Sequence, residues 1–141
     1  MACSVKMPQK IDEIELYFES QPEYKFKVML ATNDQERTTG LMFRTAENLS
    51  EHQGMLFVFK DFAPRTFWMR NTYLQLDIIY LDADKKIVSI VENAQPLSDK
   101  ALPSIYPAKY VVEIRGNLSK QLNLKTGYSA IFELPKNIVI E

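Results

Sequence analysis

Cysteine and histidine each occur once in this chain, at Cys3 and His52. One cysteine makes no internal disulfide, and one histidine with one cysteine makes no nitrogen–sulfur metal cage. A metal site would have to be built from carboxylates and carbonyls. Glycine is also scarce, with four in 141 residues, and each falls where a turn is expected. No phosphate-cradling glycine loop and no serine in a nucleophile elbow is present, so nucleotide binding and serine-hydrolase chemistry have no motif to stand on. No apolar run reaches the ~18 residues that a membrane-spanning helix needs. Cations are not clustered either. Lys plus Arg total 17 against 18 Asp plus Glu, and the longest cationic run is Lys85-Lys86. Phosphate backbones require concentrated positive charge, so nucleic acid is not an expected partner. No cofactor is expected.

What remains is an ordinary globular composition, 46% hydrophobic and 25% charged. The length suits one domain with a substantial core. Residues 1–10 read as a flexible N-terminal tail and 11–141 as the domain. Within the tail, Met1-Ala2-Cys3-Ser4 has the form of a lipoprotein cleavage site without its preceding hydrophobic segment. Two readings stand: a lipid anchor at Cys3 on an exported, envelope-anchored protein, or a free cysteine on a frayed end, with the domain periplasmic or cytoplasmic.

The hydrophobic pattern is mainly period two. Residues 11–18 (IDEIELYF) mix acidic and apolar side chains and suit a sheet edge. Tyr24, Phe26, Val28 and Leu30 alternate with lysines and predict a half-buried strand. Asn33 followed by Glu36 has capping-box spacing, and Gly40 supplies a stop, so a short helix is expected between them. Leu41-Met42-Phe43 is expected to turn into the core. Residues 54–59 (GMLFVF) predict a strand covered on both faces. Pro64 marks a turn over 61–65, with a new strand at 66–69. Residues 77–92 read as a β-hairpin. Pro96, Pro103 and Pro107 punctuate an expected loop over 94–108. A strand at 109–114, a short helix within 116–124 capped by Asn117 or Ser119, a strand at 128–134 and a last one at 138–140 complete the reading. The fold class is mostly β (α+β), with about eight short strands in a strongly bent antiparallel sheet or small barrel and two short helices.

Four segments carry a family resemblance: GLMFR (40–44), GMLFVF (54–59), FWMRNT (67–72) and LDIIYLD (76–82). With Tyr110–Ile114 and Gly127 they make the chain similar to the bacterial and archaeal family known as domain of unknown function 192, over roughly residues 24–134. The chain departs from the family pattern at Gln75, where a proline is usual, and at Arg115-Gly116-Asn117, where a small residue and Gly are usual. The resemblance implies a compact β-rich domain, often exported, with no established activity.

Arg44, Trp68, Arg70, Asn71, Thr72 and Asp77 are the candidate ligand-binding residues. Alternation on a strand puts Trp68, Arg70 and Thr72 on one side. An aromatic plane beside a guanidinium fork and a hydroxyl suits a sugar ring or another flat polar ligand, since the plane covers an apolar face while the donors fix orientation. Arg44 follows an apolar plug and can grip a carboxylate. Asp77 opens an apolar strand, so it needs a partner, for which Arg70 and Arg44 are the candidates. The leading reading is a binding module for a small polar molecule, a saccharide or cell-envelope fragment. A second is a hydrolase using Asp77 with Glu92 or Glu113 as acid and base. A third is an accessory protein in which the motif residues only staple the fold. His52 reads as surface decoration.

Overall fold

The computed structural model describes residues 12–141, so the tail and Cys3 lie outside the described residues. The chain runs β1 (Glu13–Phe18), β2 (Phe26–Ala31), α1 (Asp34–Thr39), β3 (Gln53–Phe67), β4 (Leu76–Leu81), β5 (Ile87–Ala94), β6 (Leu102–Arg115), α2 (Leu118–Gln121) and β7 (Ala130–Ile131). The seven strands form one sheet in the order β5-β4-β6-β3-β2-β1-β7. Neighbours are antiparallel except β2 and β3. A parallel pair cannot be joined by a tight hairpin, and here the crossover is α1 with the 40–52 connection. The sheet curls into a half-barrel whose two edges are tied at one end. Lys86 bridges Ser129, and Ile87 N–H donates to the Tyr128 carbonyl at 2.9 Å.

Both faces of the central strands are buried, as the near-continuous apolar run at 54–59 predicts. Inside the curl, Leu16, Phe26, Val28, Leu56, Ile79, Val112 and Phe132 belong to one cluster. On the other face, Met55, Phe57, Ile78, Tyr80 and Val111 pack with Leu41, Leu49 and Met69, which come from the connections. Phe26, Val28 and Leu30 are inward as period two requires. In α1 the Asn33 side chain accepts the Glu36 N–H at 2.8 Å, and Glu36 Oε1 accepts from Thr32 N–H at 3.0 Å. Gly40 ends the helix at φ 47°.

Several expectations change, among them the strand over 128–134, which is reduced to Ala130–Ile131. The turn over 61–65 is instead part of a 15-residue strand. Its register shifts between Val58 and Ala63 and again between Pro64 and Thr66. Bulges give Pro64 a place in the strand, because they break the ladder where its missing N–H would otherwise be needed. The loop over 94–108 is short for the same reason, since Pro103 and Pro107 lie within β6, opposite Thr66 and Pro64. Residues 138–140 form no strand, although Ile138 and Ile140 pack on the core.

The β3–β6 pair depends on one missing side chain. A Cβ on Gly54 would lie 2.4 Å from the Glu113 carbonyl oxygen. Gly54→Ala is expected to lower unfolding free energy by about 1–3 kcal/mol, the usual range for overpacking. Urea denaturation with an unchanged m-value is the measurement that checks it.

Candidate functional site

The layer over the outer face of the sheet is incomplete. Between α1 with the turn after it, the end of β3, residues 68–72 and residues 99–101 lies a cavity of about 470 Å³. Its walls are mostly apolar, with Leu41, Met42, Phe57, Phe59 and Phe67 as the larger contributors. Phe67 meets Phe57 edge to face at 4.9 Å and Tyr80 at 5.8 Å, so these rings are fixed by one another. Gly40 is needed at the rim. Its positive φ suits glycine, and a Cβ there would press on the Phe57 ring at 3.2 Å.

Five charged side chains line this cavity: Asp34, Arg37, Arg70, Asp99 and Glu113. Four are already paired. Arg37 Nη2 donates to Asp34 Oδ1 at 2.9 Å and Nη1 to the Val58 carbonyl at 2.8 Å. Arg70 Nε donates to Asp99 Oδ1 at 2.9 Å, and its guanidinium lies 4.0 Å over the Trp68 ring. The hydrogen bond from Arg70, and then its charge, hold the Asp99 carboxyl below its ordinary range.

Glu113 is the exception. It projects from β6 on the same face as its register partners Met55 and Ile78. It is 4% exposed, yet it lines the cavity. Among the described residues no side chain or backbone N–H donates to its carboxylate. Burial alone lifts its pKa from 4.5 to about 8. A carboxyl in an apolar wall holds its proton because the charged form loses its hydration and gains no partner. The one titratable neighbour on β4 is Tyr80, whose hydroxyl donates to the Leu102 carbonyl. Its pKa is raised by burial and then by Glu113, so it stays neutral.

The sequence candidates divide. Trp68, Arg70 and Thr72 line the cavity. They reach it from a turn, not from a strand, because β3 ends at Phe67. Met69 is fully buried beneath them, and Thr72 Oγ1 donates to the Arg70 carbonyl at 3.0 Å. Asn71 is exposed at φ 52° and its carbonyl accepts from Phe43 N–H at 2.9 Å. Phe43, expected to enter the core, is instead 56% exposed at φ 66°. The reversal there carries Arg44 back over β2, where Nη2 meets the Met29 thioether at 3.3 Å instead of a carboxylate.

Asp77 pairs with neither arginine. It lies on the opposite face of the sheet from Glu113, since its register partner is Ile114 and that of Glu113 is Ile78. Asp77 Oδ1 accepts from the backbone of Asn93 and Asn117, and Oδ2 from the backbone and hydroxyl of Ser119 at 2.8 and 2.6 Å. Asn117 makes no side-chain cap at the start of α2. Asp77 therefore satisfies the amides at that helix start from a neighbouring strand. No acid–base pair of Asp77 with Glu113 is assembled, and Glu92 is exposed on the edge strand β5. His52 is exposed as expected, stacked on Tyr24.

Sequence reasoning missed Arg37, Asp99 and the three phenylalanines as cavity residues. It placed Glu113 only as a partner in hydrolysis. The signal for Glu113 lay in its setting, an acid in KYVVEI with apolar residues of both phases around it.

Glu113 should leave a signature in the pH dependence of stability. Between pH 4.5 and about 8, folded Glu113 holds a proton that the unfolded chain releases. Stability should then fall as pH rises through that window, by at most about 1.4 kcal/mol per unit. Denaturant titrations across this range should show the slope flattened in Glu113→Gln. Asp77→Ala should lose on the order of 3 kcal/mol of stability, because buried amides lose their acceptor.

No curated protein matches the chain. Two solved structures share its fold. A crystal structure of a putative transcription regulator from Sinorhizobium meliloti is 30% identical with a TM-score of 0.81, covering 87% of this chain and 95% of that one. A protein of unknown function from Novosphingobium aromaticivorans is 34% identical with a TM-score of 0.78, covering 89% of each chain. The family model DUF192, described as an uncharacterized ACR, matches residues 17–132, and the chain belongs to that family.

Proposed function

We propose that this domain is a binding module for a small polar molecule, of the saccharide or cell-envelope-fragment kind, held in the cavity over the outer sheet face. One observation carries the reading: a buried carboxyl with no protein partner forms part of the wall of an open cavity. An unpartnered buried polar group costs stability, and a ligand that meets it recovers that cost. The remaining walls supply apolar contact, and the cavity volume lies within the range of small-molecule sites. The paired rim residues Arg37–Asp34 and Arg70–Asp99 offer further polar atoms around the opening.

A hydrolase would need a second carboxylate facing Glu113. Asp34 and Asp99 are the acids on the same cavity, and each is engaged by an arginine. The binding reading asks nothing of them beyond their present contacts.

A thermal-shift screen across sugars, cell-wall fragments, amines, carboxylates and nucleotides is the test. A binder present at ~100 times its Kd adds about 2.7 kcal/mol to stability. The shift should vanish in Ala101→Trp, which sets an indole at the cavity wall. No shift in any class, with wild type and Ala101→Trp alike, would falsify the reading.

A further inference from the structure

We infer that the ligand of this cavity carries an organic ammonium group, which Glu113 meets as a carboxylate among the rings of Phe57 and Phe67. The inference rests on the binding reading above and narrows its ligand class, so that a saccharide qualifies when it bears an amine.

The charge arrangement is the first ground. Around the cavity Arg37 is matched by Asp34 and Arg70 by Asp99, which leaves Glu113 as the unmatched charge. When it ionises, the lining carries one net negative charge. A buried carboxylate demands a cation at close range, and none is supplied by the described residues. An anionic ligand would place like charge against it. A neutral ligand would leave it to stay protonated.

The rings are the second ground. A cation is attracted to an aromatic face by the ring quadrupole, and the attraction grows when the site excludes water. This protein already uses that contact around the cavity. Arg65 lies 3.8 Å over Phe59 with Arg37 on the same ring at 5.2 Å, and Arg70 lies 4.0 Å over Trp68. The inner rings Phe57 and Phe67 border the same cavity and have no such cation among the described residues. Aromatic walls with a single carboxylate make an amine receptor. Sugar stacking on Trp68 is less well provided for, because one face of that indole is covered by Arg70.

Proton balance follows from the geometry. The titratable and charged groups around the same cavity are Asp34 and Arg37 from α1, Arg70 from the 68–72 turn and Asp99 from the 99–101 segment, with Tyr80 beside Glu113 on β4. The tyrosine is neutral and the other four are paired as ions. Below its own pKa, Glu113 enters the complex by giving its proton to the buffer as the ammonium arrives. The ammonium keeps all of its protons.

Isothermal titration calorimetry at pH 6.5 in two buffers of different ionisation enthalpy reads that proton directly. The probes are choline, phenethylammonium and glucosamine, set against 3,3-dimethylbutanol, phenylacetate and glucose. Binding of at least one ammonium probe is expected, with close to one proton released per site. Its neutral or anionic counterpart should bind at least about tenfold more weakly. Glu113→Gln keeps the shape and removes the charge. It should remain folded and lose at least about tenfold in ammonium affinity together with the proton release. Binding of glucose, dimethylbutanol or phenylacetate without the ammonium probes would overturn the inference while leaving a binding site. Ammonium binding with no proton release, or undiminished in Glu113→Gln, would overturn it as well. Silence from every probe, repeated in the wider thermal-shift screen, would remove both readings together.

Discussion

The antiparallel pairing of β3 with β6 is the constraint on which the remainder of this molecule depends. These are the two longest strands, and they lie side by side in the middle of the sheet. One neighbour of β6 is the β4–β5 hairpin, and one neighbour of β3 is β2. Where residues 54–58 of β3 run beside 110–114 of β6, both faces are covered, so each residue there must suit a dry environment. Glu113 is the departure. It is a carboxyl in a well-protected part of the sheet, at a place where the outer layer leaves an opening.

The sheet uses its two buried carboxyls in opposite ways. Asp77 and Glu113 lie on adjacent strands, one register step apart, and face opposite sides. Asp77 is surrounded by donors and locks the start of α2 to β4 and to the end of β5. Glu113 has Met55 and Ile78 to either side and the cavity in front of it. Burial is nearly equal for the two, so the partner set decides their roles. One holds the fold together, and the other has no donor among the described residues.

Much of the fold could be read from periodicity alone. The 54–59 run was too apolar for a one-sided strand, and the Asn33–Glu36 spacing with Gly40 delimited a helix of the right length. The prolines misled. Local chemistry placed turns at Pro64 and in the 96–107 stretch, whereas pairing between distant segments absorbed Pro64, Pro103 and Pro107 into bulged strands. The candidate cavity was legible in part. Three residues of FWMRNT, Trp68, Arg70 and Thr72, line the cavity. The partners of Arg70 and Asp77 were not legible. Asp99 is distant in sequence from Arg70, and the donors that surround Asp77 are mostly backbone amides, which leave no mark in a sequence. Arg44 was misplaced because a left-handed residue at Phe43, where glycine or asparagine would be usual, reverses the chain.

The central pair also sets a time order for assembly. The antiparallel ladder runs from Phe67 opposite Leu102 to Gly54 opposite Ile114, so its far end closes a loop of roughly sixty residues, at an entropy cost that grows along the ladder. Inside the loop lies the β4–β5 hairpin, whose strands are joined by residues 82–86 and can zip early. Once formed, the hairpin shortens the effective loop and presents β4 as a ready edge for β6. The chain therefore has reason to build its sheet from β4 toward β1. On that order the wall containing Glu113 is complete before α1 and its connection cover it, and the cavity is what the last layer leaves open.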